Sequence, residues 1–268
     1  MELNLRLAIL AAIKAGEEIL KIYNEDDLEI ELKSDQSPLT KADRNSHQVI
    51  VEGLKASGLP VLSEEGNAIP YYERSKWELF WLIDPLDGTK EFIKKNGEFT
   101  VNIALIALDT PVIGVVYVPV TRVLYFASER TGSFKVNIEE DFKEEDITRL
   151  FDLAESLTDS QYPTIFTIVA SRSHSTKETE EFVSKKQEEL GNVNLISSGS
   201  SIKLCLVAER KAHVYPRLAP TMEWDTAAAH AIAYYSDCRV YDYATGNELK
   251  YNKENMLNPW FVVSGQYE

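Results

Sequence analysis

Apolar side chains at Leu3, Leu7, Leu10, Ala11, Ile13 and Leu20 recur at helical spacing, which predicts an amphipathic helix over residues 3–23. Glu29-Ile30-Glu31-Leu32-Lys33 alternates as a short exposed strand does, and Ser34 to Thr40 reads as a polar loop around Pro38. A second helix is predicted from Lys41 to Ala56, closed by Gly58, and a short strand from Pro60 to Ser63 runs into Glu64-Glu65-Gly66. The apolar run Leu79 to Ile83 then stops at two aspartates, Asp84 and Asp87, on either side of Pro85 and Leu86. Pro85 fixes its own φ and pushes Asp84 into an extended conformation. A new helix is expected directly after Gly88.

Four runs rich in β-branched residues follow at hairpin spacing: Phe99 to Leu108, Val112 to Val118, Val123 to Ala127 and Gly132 to Val136. They predict an antiparallel sheet in the first half. The second half alternates strand and helix, with strands at Thr164 to Ala170, Asn194 to Ser197, Ala212 to Pro216 and Arg239 to Asp242. The helices between them are Thr176 to Leu190, Ile202 to Ala208 and Asp225 to Tyr235, a pattern that argues a mixed or parallel sheet. Residues 137–160 are dominated by acids and read as a surface connector with some helix; their spacing fits no calcium loop. The organisation expected is an N-terminal α+β half over 1–136, the acidic connector over 137–160 and a C-terminal α/β half over 161–268.

A chain of 268 residues that is 44% hydrophobic can bury a sizeable core. No apolar stretch approaches the ~20 residues of a membrane span. The net charge of -15 argues against a nucleic-acid polymer as partner, while leaving room for a small anion at a locally cationic pocket. Cys205 and Cys238 have neither metal-ligand nor disulfide spacing, and Met1-Glu2-Leu3-Asn4 has no basic leader character, so a cytoplasmic location is expected.

The chemistry concentrates in carboxylates at element boundaries. Two acids at the end of a buried strand require a compensating charge, and a divalent cation supplies it. The helix start beyond them offers N–H groups to an anion. Asp43, Glu64 and Asp225 lie at other boundaries, and each has a local reading too: Thr40-Lys41-Ala42-Asp43 fits a capping box, Glu64 a turn and Asp225 a helix cap. An acid set without histidine or cysteine suits Mg²⁺ better than Zn²⁺.

Glu64-Glu65, Asp84-Pro85-Leu86-Asp87-Gly88-Thr89 and Trp224-Asp225-Thr226-Ala227-Ala228, in this order, resemble the inositol monophosphatase superfamily of Mg²⁺-dependent, lithium-sensitive phosphatases. The segments Val61 to Glu65, Asp84 to Asn102, Ser171 to His174, Gly199 to Lys203 and Tyr215 to Arg217 are similar to its 3'(2'),5'-bisphosphate nucleotidase branch, the CysQ type. The Lys90-Glu91-Phe92 form is the nucleotidase-like one. The resemblance implies a layered αβαβα sandwich. It also implies a phosphatase that takes the 3'-phosphate from adenosine 3',5'-bisphosphate, and in addition from the sulfated analogue PAPS.

It further implies two or three Mg²⁺ ions held by Glu64, Asp84, Asp87, Asp225 and the Leu86 carbonyl. Asp43, Glu64 and Thr89 would handle the attacking water, and the Gly88 and Thr89 N–H groups the scissile phosphate. Leu86, Asp87 and Asp225 would also touch substrate, while Ser171, His174, Ser200, Lys203 and Arg217 would contact the adenosine and the second phosphate. Each of these has a plainer reading: Ser200 as a helix cap, Lys203 as a solvated side chain, His174 as a surface histidine. His47, His213 and His230 read as structural. An inositol monophosphatase or another sugar phosphatase is the nearest rival, and a non-catalytic Mg²⁺/phosphate-binding protein the remote one. Peripheral association with the cytoplasmic face of a membrane is implied by family analogy, and monomer and homodimer both stay open.

Overall fold

The computed structural model describes residues 2–25, 28, 30–32, 38–171 and 176–265. In chain order the elements are α1 (Leu3–Tyr23), β1 (Glu31–Leu32), β2 (Pro38–Leu39), α2 (Lys41–Leu54), β3 (Val61–Ser63), α3 (Tyr71–Arg74), β4 (Leu79–Asp87) and α4 (Thr89–Ile93). Then come β5 (Thr100–Ala107), β6 (Thr110–Val118), β7 (Val123–Ser128), β8 (Gly132–Asn137), α5 (Ile147–Leu153), β9 (Glu155–Ser156) and β10 (Phe166–Ser171). The chain ends with α6 (Lys177–Leu190), β11 (Val193–Ser198), α7 (Ile202–Ala208), β12 (Val214–Arg217), α8 (Glu223–Tyr234), β13 (Cys238–Asp242) and β14 (Phe261–Gly265).

One sheet has seven strands in the order β3-β4-β5-β6-β7-β8-β9, and a second has five in the order β11-β10-β12-β14-β13. The first is antiparallel except where β3 runs parallel to β4. The second is mixed, with β10 parallel to β11 and β12 and β14 antiparallel to both its neighbours. Helices α1 and α2 cover one face of the large sheet, α7 and α8 fill the space between the sheets, and α6 covers the far face of the small one. These are the five layers of the αβαβα sandwich expected.

Strand side chains alternate between the layers because successive residues point to opposite faces. Trp81 and Ile83 enter the core under α1 and α2, whereas Phe80 and Leu82 enter the core between the sheets. Both faces of the central strands are therefore buried, which explains their near-continuous apolar runs.

The structure departs from the sequence reading in four places. Strand β4 does not end at Ile83 but continues to Asp87 through an irregularity between Asp84 and Asp87. Part of the expected loop before Thr40 is a strand, since Pro38–Leu39 pairs with Glu31–Leu32; Glu29 and Lys33 lie outside the described residues. The acidic connector has the helix expected in it, but it is also stitched to the first sheet. Ile147 and Leu150 are buried against the α1/α2 core, and β9 pairs with β8. The C-terminal strand β14 has no counterpart in the sequence reading. No helix among the described residues is long and apolar enough to cross a membrane.

Candidate active site

The register of β4 against β5 makes the site. Asp84 pairs with Asn102 and Asp87 with Thr100, so three steps on one strand match two on the other. The extra residue is a bulge. Proline suits it because no ladder N–H is needed there, and the Pro85 carbonyl is taken up by the buried Ser46 hydroxyl at 2.7 Å. Three steps along a regular strand would turn Asp87 to the face opposite Asp84. The bulge returns both acids to the inter-sheet side, while the Leu86 side chain is left in the α1/α2 core.

Glu64 is delivered by the parallel neighbour. Its N–H donates to the Ile83 carbonyl at 3.2 Å, extending the β3–β4 ladder by one residue and setting Glu64 beside Asp84. Asp225 comes from the third position of α8, where its Oδ2 accepts the Met222 N–H at 2.8 Å. That helix lies close on the large sheet because Gly114 of β6 has no side chain. A Cβ there would sit 2.1 Å from the Ala228 carbonyl oxygen. One oxygen each of Glu64, Asp84 and Asp225 can gather within 4.8 Å of one another.

Electrostatics follow from that gathering. Burial, then the charges of Glu64, Asp87 and Asp225, hold Asp84 well above the usual carboxylate range, against one N–H from Leu86. Asp225 is likewise driven well up by burial and by Asp87 and Glu64. Burial also raises Asp87, but Lys203, the Ser201 N–H, Asn102 and Arg217 pull it back down. Such repulsion is relieved by a bound cation. Oxygen donors alone, without histidine or cysteine, fit a hard ion such as Mg²⁺.

Asp43 serves two elements. Its Oδ2 accepts the Thr40 N–H at 2.7 Å and the Thr40 hydroxyl at 2.6 Å, which closes the capping box of α2. Its Oδ1 accepts the Thr89 hydroxyl at 3.2 Å. The capping and the functional readings of Asp43 are thus compatible. Gly88, just before α4, has φ +94, and a Cβ there would meet the Glu98 carbonyl oxygen at 3.2 Å, so the turn that presents Thr89 favours glycine.

A cavity of about 390 Å³ opens on these groups. Glu64, Asp84, Leu86, Asp87, Gly88, Thr89 and Asp225 line it, and so do Ser171, Ser200, Lys203 and Arg217. Asp43 stands behind Thr89, and His174 lies outside the described residues. Lys203 is only 5% exposed and rests over the Tyr215 ring, so the solvated reading of this lysine is wrong. Burial, with Arg217 adding to it, lowers Lys203 to about 8, although Asp87, Glu98 and Glu91 favour its charged form. Ser200 does not cap α7: its Oγ is buried with no hydrogen-bond partner, as is Arg217 Nε. Arg217 Nη2 donates to the Pro220 carbonyl at 3.0 Å.

His47, His213 and His230 sit in polar or aromatic contacts away from the cavity lining, as expected of structural residues. Tyr215, Ser201 and Asn102 are missing from the sequence reading of the site. Tyr215 lies within a quoted segment, and alternation from Arg217 on β12 would have turned attention to it. Ser201 and Asn102 also lie within segments that resemble the nucleotidase branch, but nothing local marks them out: Asn102 reaches Asp87 across the β4–β5 ladder, and Ser201 only where the start of α7 is set beside it.

The sequence profile of the inositol monophosphatase family matches residues 2–260. The 3'(2'),5'-bisphosphate nucleotidase CysQ of Salmonella typhimurium is 45% identical over 258 residues, covering 94% of this chain and 96% of that protein. The nucleotidase of the same name from Escherichia coli K12 is 44% identical with the same coverage. The crystal structure of CysQ from Bacteroides thetaiotaomicron superposes with a TM-score of 0.88 at 51% identity, over 99% of this chain and 98% of that one. The extragenic suppressor protein SuhB of Bartonella henselae, at 20% identity and a TM-score of 0.72, shares the fold.

Proposed function

The chain belongs to the inositol monophosphatase family, and from that premise we propose that it is a Mg²⁺-dependent 3'(2'),5'-bisphosphate nucleotidase. It releases the 3'-phosphate of adenosine 3',5'-bisphosphate as inorganic phosphate, leaving AMP, and it accepts the sulfated analogue PAPS as well. The observation that carries this reading is one cavity with two opposite characters. Clustered acids line it, and so do Arg217 and the buried Lys203. An ester with one phosphate to cleave and one to hold matches both. The bisphosphate nucleotidases at 44–45% identity support the same choice.

Glu64, Asp84, Asp87, Asp225 and the Leu86 carbonyl hold the Mg²⁺ ions, two or three in number, which when bound supply an acidified water and charge neutralisation for the phosphoryl oxygens. Thr89 gives its one hydroxyl proton to Asp43 Oδ1, so its oxygen faces the water as an acceptor. The proton that the water loses would go to Asp43 by way of the Thr89 hydroxyl, or to Glu64. The Gly88 and Thr89 N–H groups hold the scissile phosphate in line. Lys203 and Arg217 bind the phosphate that stays, and Ser171, His174 and Ser200 bind the nucleoside.

A simple inositol phosphatase has no second phosphate for Lys203 and Arg217 to hold. A phosphate-release panel with adenosine 3',5'-bisphosphate, PAPS, inositol 1-phosphate and fructose bisphosphate separates the readings. The nucleotide should lead in kcat/KM, and a lead by inositol 1-phosphate would refute the assignment.

A further inference from the structure

Asp87 is held from behind by the second half of the chain. Its Oδ2 accepts the Ser201 N–H at 2.6 Å, and Asn102 Nδ2 approaches the same oxygen at 3.4 Å. The two partners are themselves joined, because the Ser201 hydroxyl donates to Asn102 Oδ1 at 2.7 Å. That donation uses the one Ser201 proton, so the Thr100 hydroxyl, 2.9 Å away, must donate to Ser201. All three residues are at most 1% exposed. Thr100 and Asn102 share a face of β5, opposite Asp87 and Asp84 in the bulged register, and Ser201 immediately precedes α7.

We propose that Ser201 and Asn102 are positioning residues: a clasp between the two halves that turns the Asp87 carboxylate toward the metal-binding side of the cavity. The proposal rests on the metal-dependent reading above and assigns these two residues a task in it. The direction of each bond supplies the reason. Ser201 fixes the Asn102 amide with its oxygen toward the hydroxyl and its NH₂ toward Asp87. Reversed, the amide would set a carbonyl oxygen against a carboxylate oxygen. With Oδ2 engaged by two N–H donors, Oδ1 is the oxygen left to turn toward a cation. Groups behind a metal ligand that orient it in this way typically carry about 10–100-fold in metal affinity. The clasp also sets the register of α7, and with it Lys203, against the acids.

Calorimetric titration of the full chain with Mg²⁺, without substrate, tests this. Ser201→Ala and Asn102→Ala should each weaken Mg²⁺ binding roughly tenfold or more. The double variant should lose no more than the worse single one, because both act along one path. Unchanged Mg²⁺ affinity in either variant, or losses that simply multiply, would overturn the proposal. If Ser201→Ala does not fold, the near-isosteric Thr100→Val takes its place: a smaller weakening supports the clasp and none overturns it. A wild-type protein that binds no Mg²⁺ would sink the metal reading itself, and the clasp with it.

Discussion

Thr89 donates its hydroxyl to Asp43 Oδ1 at 3.2 Å, while the other oxygen of that carboxylate caps α2 through Thr40. One side chain thus couples the buried start of α2 to the cavity. Asp43→Ala should lose both roles: about 0.5–2 kcal/mol of stability from the capping box, and roughly 10²–10⁴-fold in kcat from the lost proton acceptor. Thr89→Ala should lose activity comparably with little change in melting temperature, since Thr89 takes no part in that capping box. Steady-state kinetics and thermal unfolding on the two variants check this.

The crowded acids make stability depend on pH and metal together. Asp84, Asp87 and Asp225 are all raised in the folded chain. A carboxylate with a raised folded pKa contributes stability below its unfolded pKa of about 3.9 and loses it as pH climbs through the folded value. The metal-free protein should therefore lose stability over that window. Mg²⁺ should restore it, by an increment in melting temperature that grows with pH, and its binding should release protons. Calorimetry in buffers of different ionisation enthalpy measures that release.

Lys203 titrates near the working range, being lowered to about 8 chiefly by burial. It is cationic below that pH and neutral above it. The kcat/KM for adenosine 3',5'-bisphosphate should fall above about pH 8, and Lys203→Met should flatten that limb. The same substitution should cost roughly 10–100-fold on the bisphosphate, the worth of one charged hydrogen bond. A monophosphate ester should be nearly indifferent to it.

Gly114 governs how near α8 comes to the large sheet. Gly114→Ala forces a methyl group into the Ala228 carbonyl and should destabilise the protein by about 1–3 kcal/mol. Because α8 carries Asp225, Mg²⁺ affinity should fall as well, although Gly114 touches no ligand of the proposed site. Thermal unfolding with and without Mg²⁺ separates the two effects.

How much of this was legible in the sequence varies with the range of the interaction. The apolar run ending at Asp84 and Asp87 announced a buried acid pair, because a strand and its interruption are local. The bulge was not announced, since Pro85 and Leu86 read equally as a strand end; only the pairing with Thr100 and Asn102 distinguishes the two. The helices beginning at Lys41, Lys177 and Ile202 were found within a residue, from caps and periodicity. The layer order was implied by resemblance alone. Lys203 shows the limit on the substrate side: its burial over Tyr215 depends on a strand later in the chain, which no local pattern encodes.

On the proposed function, Glu64 beyond β3, Asp84 and Asp87 of β4 and Asp225 of α8 act through divalent metal on a phosphate ester. The most direct test is inorganic phosphate release from adenosine 3',5'-bisphosphate across a Mg²⁺ titration, for the wild type and Asp84→Asn. Wild-type turnover should rise to saturation with Mg²⁺ and vanish on chelation, and the folded variant should lose several orders of magnitude. Turnover that survives chelation, or a variant close to wild type, would contradict it.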